Sequence, residues 1–216
     1  MKNILALAAL TAALLPAAGP ILDNDQVRVL DVSNAVGQHS QMHKHDVNRV
    51  MIHLDAGHMR LKYDNGQVKD VRFKPGEVRW DPAVGMHTSE NAGKTPYRIV
   101  ELELKKPHGV AVSWPAIDPL KAAPNRYTLL FENEQVRVVR VRFPKDGGAP
   151  LHEHARPRLL VNLTAQKVQF TTKDGAKNVV EAPLGFVRWT PTPGVHSELN
   201  LGDGPFEAIL IDFKTN

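Results

Sequence analysis

Cysteine is absent from this chain of 216 residues. That excludes disulfides, thiolate nucleophiles and sulfur-rich metal sites, and leaves imidazole and oxygen as the donors open to a bound metal. Hydrophobic runs long enough to cross a bilayer are also missing. The longest, Ile4 to Leu15, falls short of the roughly 20 apolar residues a spanning helix needs. Basic clusters are lacking too: 27 Lys and Arg against 23 Asp and Glu leave a net charge of +4, scattered along the chain. Nucleic acid is therefore not an expected partner. No Gly-x-Ser-x-Gly elbow and no phosphate loop occur, so triad hydrolysis and nucleotide chemistry have no support.

The apolar run has its own meaning. Lys2 provides a positive start, Ile4 to Leu15 an apolar stretch, and Pro16-Ala17-Ala18-Gly19 a small-residue cleavage zone, the layout of a secretory signal peptide over residues 1–19. The expectation is export, removal of the leader, and a periplasmic or secreted protein with no membrane anchor after processing. The alternative is an uncleaved apolar N-terminal arm.

The chain is written twice. Sliding residues 22–104 onto 131–213 without a gap gives 23 identities in 83 positions, among them Asn24/Asn133, Arg49/Arg158, Gly76/Gly185, Trp80/Trp189, Pro82/Pro191 and Asn91/Asn200. Three histidines repeat at the same offset: 152−43 = 154−45 = 196−87 = 109. Such self-similarity sets the architecture before any local feature does. It predicts two modules, residues 20–106 and 127–216, joined by a proline-bearing linker at 107–126 with a short helical turn near Ile117 to Ala122. Modules this small are expected to lean on one another.

Within each copy the local pattern is β. Short runs such as Val27-Arg28-Val29-Leu30, Arg49-Val50-Met51-Ile52-His53-Leu54 and Val138-Val139-Arg140-Val141-Arg142 read as strands, several alternating apolar with polar. Asp64-Asn65-Gly66 and Lys173-Asp174-Gly175 sit at matching places and carry hairpin-turn chemistry. No helix-length amphipathic stretch interrupts them. The predicted fold class is all-β, antiparallel sheets in a sandwich or barrel. Trp80 and Trp189 are expected in the barrel cores, and Asn91 and Asn200 in ordering the loop that follows the third histidine.

His-x-His on an extended segment turns both imidazoles to one side. The third histidine follows about forty residues later, after the hairpin. The run Gly37-x5-His43-x-His45 resembles the first motif of the cupins. Gly76-x5-Pro82…His87-x3-Asn91 and Gly185-x5-Pro191…His196-x3-Asn200 resemble their second motif, with the inner glycine displaced by one place. The likeness spans nearly all of the chain after the leader, and duplicated cupins are known as bicupins. It implies two tandem jelly-roll barrels, each holding a divalent metal on three histidines: His43, His45 and His87 in one, His152, His154 and His196 in the other.

One departure matters. Cupins commonly carry a glutamate four or five residues after the second histidine, where this chain has Arg49-Val50 and Arg158-Leu159. One reading is a three-histidine site, similar to those cupin dioxygenases whose iron is held by imidazoles alone, which favours Fe²⁺ and leaves Mn²⁺, Zn²⁺, Ni²⁺ or Cu²⁺ open. Three neutral ligands leave the ion doubly positive with open positions for a small-molecule substrate or dioxygen. Arg49 and Arg158 are then candidates to pair with a substrate anion. The other reading is metal loss in one copy, with the second the more exposed to it because Arg156 and Arg158 bring positive charge near the ion. His39, His53, His58 and His108 lack counterparts in the second copy and are not assigned as ligands, with His53 the reserve. Glu101 and Glu103 share a strand face, as acid-base groups or as solvated charges. Two functions follow: a metal-dependent oxidoreductase of dioxygenase type on a small metabolite, or a non-catalytic ligand-binding or structural bicupin. A homo-oligomer is compatible with both.

Overall fold

A computed structural model describes residues 19–215; the leader-like residues 1–18 lie outside them. The N-terminal half contains β1 (Leu22–Asp23), β2 (Val27–Asn34), β3 (His43–His45), β4 (Arg49–His53), β5 (Gly57–Tyr63), β6 (Val68–Phe73), β7 (Val78–Asp81), β8 (Val84–Asn91) and β9 (Tyr97–Leu104). After α1 (Pro119–Ala122), the C-terminal half contains β10 (Tyr127–Glu132), β11 (Val136–Phe143), β12 (Gly148–His154), β13 (Arg158–Asn162), β14 (Gln166–Thr172), β15 (Lys177–Ala182), β16 (Val187–Thr190), β17 (Gly194–Asn200) and β18 (Phe206–Phe213).

The two halves share one topology. The first pairs its strands as β1-β2-β9-β4-β7 and β3-β8-β5-β6, the second as β10-β11-β18-β13-β16 and β12-β17-β14-β15. All pairings are antiparallel. Each half is thus a jelly roll of two sheets, and among the described residues no hydrogen-bonded ladder closes either into a barrel. The expected hairpins join β5 to β6 and β14 to β15, with Gly66 and Gly175 at φ 84° and 89°. Gly37, in the first His-x-His motif, has φ 72°, and its counterpart in the repeat is Asp146 at φ 57°. Aspartate is among the few side chains that tolerate this left-handed conformation, so the bend before the histidines survives the loss of the glycine.

The largest apolar cluster lies between the halves. Val50, Ile52, Val100 and Leu102 meet Val138, Leu159, Ile209 and Ile211 there, all but fully buried. The alternate residues of the same strands face inward: Met51 and Ile99 into the first half, Val139, Val141 and Leu210 into the second. A strand buried on both faces needs apolar residues at nearly every position, which is why all of β4 is buried, Arg49 and His53 included. The halves do lean on each other. Trp80 and Trp189 belong to this shared layer rather than to the barrel interiors expected for them: Trp80 packs 6.3 Å from Phe131 and Trp189 5.1 Å from Phe213, ring centre to ring centre. The period-two alternation of β7 and β16 decides this, since Arg79, Asp81, Arg188 and Thr190 take the inward positions.

The linker forms the expected helical turn. Asp118 caps it by accepting from Leu120 N at 3.1 Å, and its other oxygen accepts from Arg137 at 2.8 Å. Arg137 also donates to Asp212 and stacks under Trp114, 3.4 Å from the ring centre. Glu153 N donates to Ile117 O at 2.9 Å. Ala123 and Tyr127 complete the interior of the C-terminal half, so the linker stoppers that half. Among the described residues no helix is long and apolar enough to cross a membrane.

Candidate metal centres

In both halves, register brings the three repeated histidines together. His43 lies opposite His87 across β3 and β8, and His152 opposite His196 across β12 and β17. The second histidine of each His-x-His returns to the same face two residues on. The result is two clusters, His43/His45/His87 and His152/His154/His196, whose facing ring nitrogens lie within 4.8 Å of one another. Nε2 of His43 stands 3.1 Å from Nε2 of His45, and Nε2 of His152 stands 3.1 Å from Nε2 of His154.

The backbone sets the tautomers. Nδ1–H of His43 donates to Gln41 O at 2.8 Å, that of His87 to Gly85 O at 3.1 Å, and that of His152 to Pro150 O at 2.8 Å. Each bond leaves the Nε2 lone pair directed into its cluster, the arrangement metal-binding histidines use. The 3.1 Å gap is closed either by the single N–H of a neutral second imidazole or by a shared cation. The charged imidazolium form is disfavoured: burial, then the Arg49 guanidinium, holds His45 down to about 3, and burial, then His152 and Arg158, holds His196 at about 3, so the rings stay neutral and able to ligate. Burial also lowers His87 and lowers His154 strongly. The residues present fit a divalent metal in both halves.

Beyond the triads the halves differ. In the first, Nδ1 of His45 lies 3.7 Å from both Glu101 and Glu103. Glu101 is buried and accepts from Arg49 at 3.0 Å; Arg49 also lies 3.9 Å from Asp81, which Arg79 holds at 3.0 Å. A cavity of about 310 Å³ adjoins the triad. Its lining includes apolar Met51, Met59, Leu61 and Ile99, with Tyr63 and Lys69 among the polar members. Lys69 is exposed and, among the described residues, has no carboxylate within 4.0 Å.

In the second half the cavity is only about 20 Å³. The Tyr127 hydroxyl fills the space beside the triad, 3.4 Å from His152 Nε2, and donates to Glu198. The two Glu198 oxygens lie 3.7 Å from His152 Nε2 and 3.8 Å from His196 Nε2. Arg158 lines this cavity and donates to Thr192 O at 3.0 Å. Arg156, expected to oppose a cation, instead donates to Phe213 O and Thr215 O, at the end of the last strand.

No family model matches the sequence, and no curated protein matches it. Solved structures do. AerE from Microcystis aeruginosa aligns over 92% of this chain and 97% of its own, with TM-score 0.62 and 14% identity. A variant of oxalate decarboxylase from Bacillus subtilis aligns over 88% and 69%, with TM-score 0.60 and 12% identity. The fold is that of the cupins, present twice. A cupin 2 conserved barrel domain protein from Leptotrichia buccalis agrees with this over 93% of both chains, at TM-score 0.55 and 15% identity. At these identities the likeness concerns the bicupin fold alone; the Bacillus protein is described as having Mn(II) centres.

Against this bicupin frame, all six repeated histidines fall where the motifs place them. Arg49 and Arg158 both face inward, but Arg49 is engaged by its own chain's carboxylates. His53 is buried against Phe73, 3.9 Å between ring centres, and away from the triad. Asn91 and Asn200 do order the following loops, each bonding two carbonyls and a glycine N–H. Sequence reasoning missed Glu198 and Tyr127. His196 and Glu198 are two apart on a strand and therefore share a face, a signal that could have found Glu198.

Proposed function

We propose that this bicupin is a divalent-metal-dependent enzyme whose substrate site lies in the N-terminal half. The observation that carries the reading is the meeting of three converging Nε2 atoms with a cavity of about 310 Å³, within the size range of small-molecule sites. His43, His45 and His87 would hold the ion, and His152, His154 and His196 a second. A bound ion supplies Lewis acidity and open coordination positions where a substrate can be polarised. Iron(II) is our preferred ion for the all-imidazole set, with dioxygenase-type oxidation its most concrete chemistry; the absence of a ligand carboxylate after the second histidine supports that choice.

The chain's own residues do the rest. Glu101, held by Arg49, lies 3.7 Å behind His45 Nδ1, beyond hydrogen-bond reach, and acts on that ring through its charge. Met51, Met59, Leu61 and Ile99 give the cavity an apolar wall and keep water from the bound substrate. Arg49 and Arg79 are neutralised by Glu101 and Asp81, so Lys69 is the cation left to meet a substrate anion at the cavity wall. The C-terminal half, with room for little more than one water-sized occupant, takes the structural role. The leader-like residues 1–19 support an exported, periplasmic or secreted protein.

The test compares full-length protein with Ile99→Trp, which fills the cavity without touching a ligand. Metal-loaded protein is screened against small carboxylates and diketones by thermal shift and dioxygen uptake. We expect one class to stabilise and to be turned over by the wild type, with Ile99→Trp retaining metal and losing both responses. Metal-loaded wild type that neither binds nor turns over any of them would return the chain to the non-catalytic reading.

A further inference from the structure

We infer that Glu198 is a fourth metal donor in the C-terminal half, so that the two centres of this chain differ in charge and in kind. The inference rests on the reading that the triads hold metal, and goes beyond it by naming a donor that neither histidine motif contains. The carboxylate of Glu198 comes from β17, two residues after His196, whereas the position after the second histidine is taken by Arg158.

Three observations converge on it. First, its two oxygens reach two different triad nitrogens, 3.7 Å from His152 Nε2 and 3.8 Å from His196 Nε2. Those separations are too long for hydrogen bonds and lie within the span of about 4.2 Å open to two donors that share one ion at roughly 2.1 Å. Second, its side chain is only 10% exposed and, among the described residues, no lysine or arginine lies within 4.0 Å of it. Arg158 and Arg188 line the adjoining cavity and offset part of its charge from farther away, while its contacts within 4.0 Å are two imidazoles and the Tyr127 phenol, so a shared ion would answer the buried carboxylate at close range. Third, Glu198 and two triad members, His154 and His196, line one cavity of about 20 Å³, which suits an ion and little else.

Tyr127 holds the carboxylate by donating to it. Burial and the adjoining Glu198 charge push the Tyr127 hydroxyl well above its ordinary value, so it stays a donor. In the first half the matching position is Ser89, whose hydroxyl bonds Ser40. Among the described residues no carboxylate lies within 4.0 Å of an Nε2 of that triad, Glu101 and Glu103 meeting His45 only at Nδ1, so an ion there would keep its double charge, while one in the second centre would be reduced to a single net charge. The first suits an ion that must recruit an anionic ligand, the second an ion that stays put.

The experiment uses metal-stripped, full-length protein titrated with Co(II), read by visible absorption and by competition with a chelator. Wild type should take up two ions with distinct spectra. Glu198→Gln should weaken one site by at least about tenfold and alter the same spectral component that His152→Ala abolishes, leaving the component lost in His43→Ala untouched. Tyr127→Phe should weaken that site less, about threefold. Should Glu198→Gln fail to fold, Glu198→Asp keeps the charge but shortens the reach, and the same one-site weakening is expected. Two ions bound with affinity within twofold and an unchanged spectrum in the glutamate variants would overturn this inference alone. Wild type that takes up no Co(II) would overturn it together with the metal reading.

Discussion

Replacing Arg49 by methionine separates two roles the residue could play. Arg49 and Glu101 are 6% and 7% exposed and 3.0 Å apart, and Glu101 has no other arginine or lysine within 4.0 Å among the described residues. Removing one partner of a buried pair leaves an uncompensated charge and costs about 3–5 kcal/mol, or roughly 6–20 °C in melting temperature for a chain of this size. The sign of the pH dependence follows from Glu101, whose carboxyl burial already pushes above the ordinary 4.5, with Arg49 opposing the shift. A carboxyl raised on folding stabilises the folded state below its unfolded pKa, and that contribution is lost as pH rises through the folded value. Without Arg49 the rise is larger, so Arg49→Met should be least destabilised near pH 4.5 and increasingly so toward pH 8. Glu101 also lies 3.7 Å from His45 Nδ1, so metal affinity of the N-terminal site should fall by up to about tenfold. The assay is thermal melting of metal-free protein from pH 4.5 to 8, with metal competition at pH 7.5. A variant as stable as wild type at every pH, with unchanged metal affinity and only a raised KM, would refute the pairing and make Arg49 a substrate anchor.

Metal retention should persist to low pH. With His45 and His196 held at about 3, protons compete for these donors only well below 6.5, so metal content after stepped dialysis should stay full at pH 5. By the same linkage, metal-free stability should be full above about pH 6.5 and decline as pH falls, because the folded chain takes up protons less readily than the unfolded one. Gly148→Ala should damage one centre only: a Cβ there would lie 1.9 Å from Glu198 O, forcing β12 away from β17. Spectroscopic titration should show the C-terminal site weakened and the N-terminal site intact, whereas equal loss at both would contradict the register.

The repeat, the turn glycines and the His-x-His parity made the architecture and both triads legible, because each rests on a local rule: period two along a strand, positive φ at a turn. What was not legible depended on which face each strand buries. Trp80 and Arg79 alternate on β7, and sequence cannot tell that the tryptophan faces the other half of the molecule while the arginine faces the cavity. The same parity hid Arg49, which looks like a solvated strand charge until both faces of β4 prove buried. The contrast between the cavities was hidden for another reason. It arises from the linker, which places Ala123 and Tyr127 inside the second half, and no motif marks that packing.

The central claim is that both triads hold metal, and metal content per chain tests it most directly. The protein, purified without chelators, should contain two ions by elemental analysis, and one each in His43→Ala and His152→Ala, with the remaining ion in the other half. A wild type without metal, unable to take up divalent ions on reconstitution and unchanged in stability by them, would contradict the account.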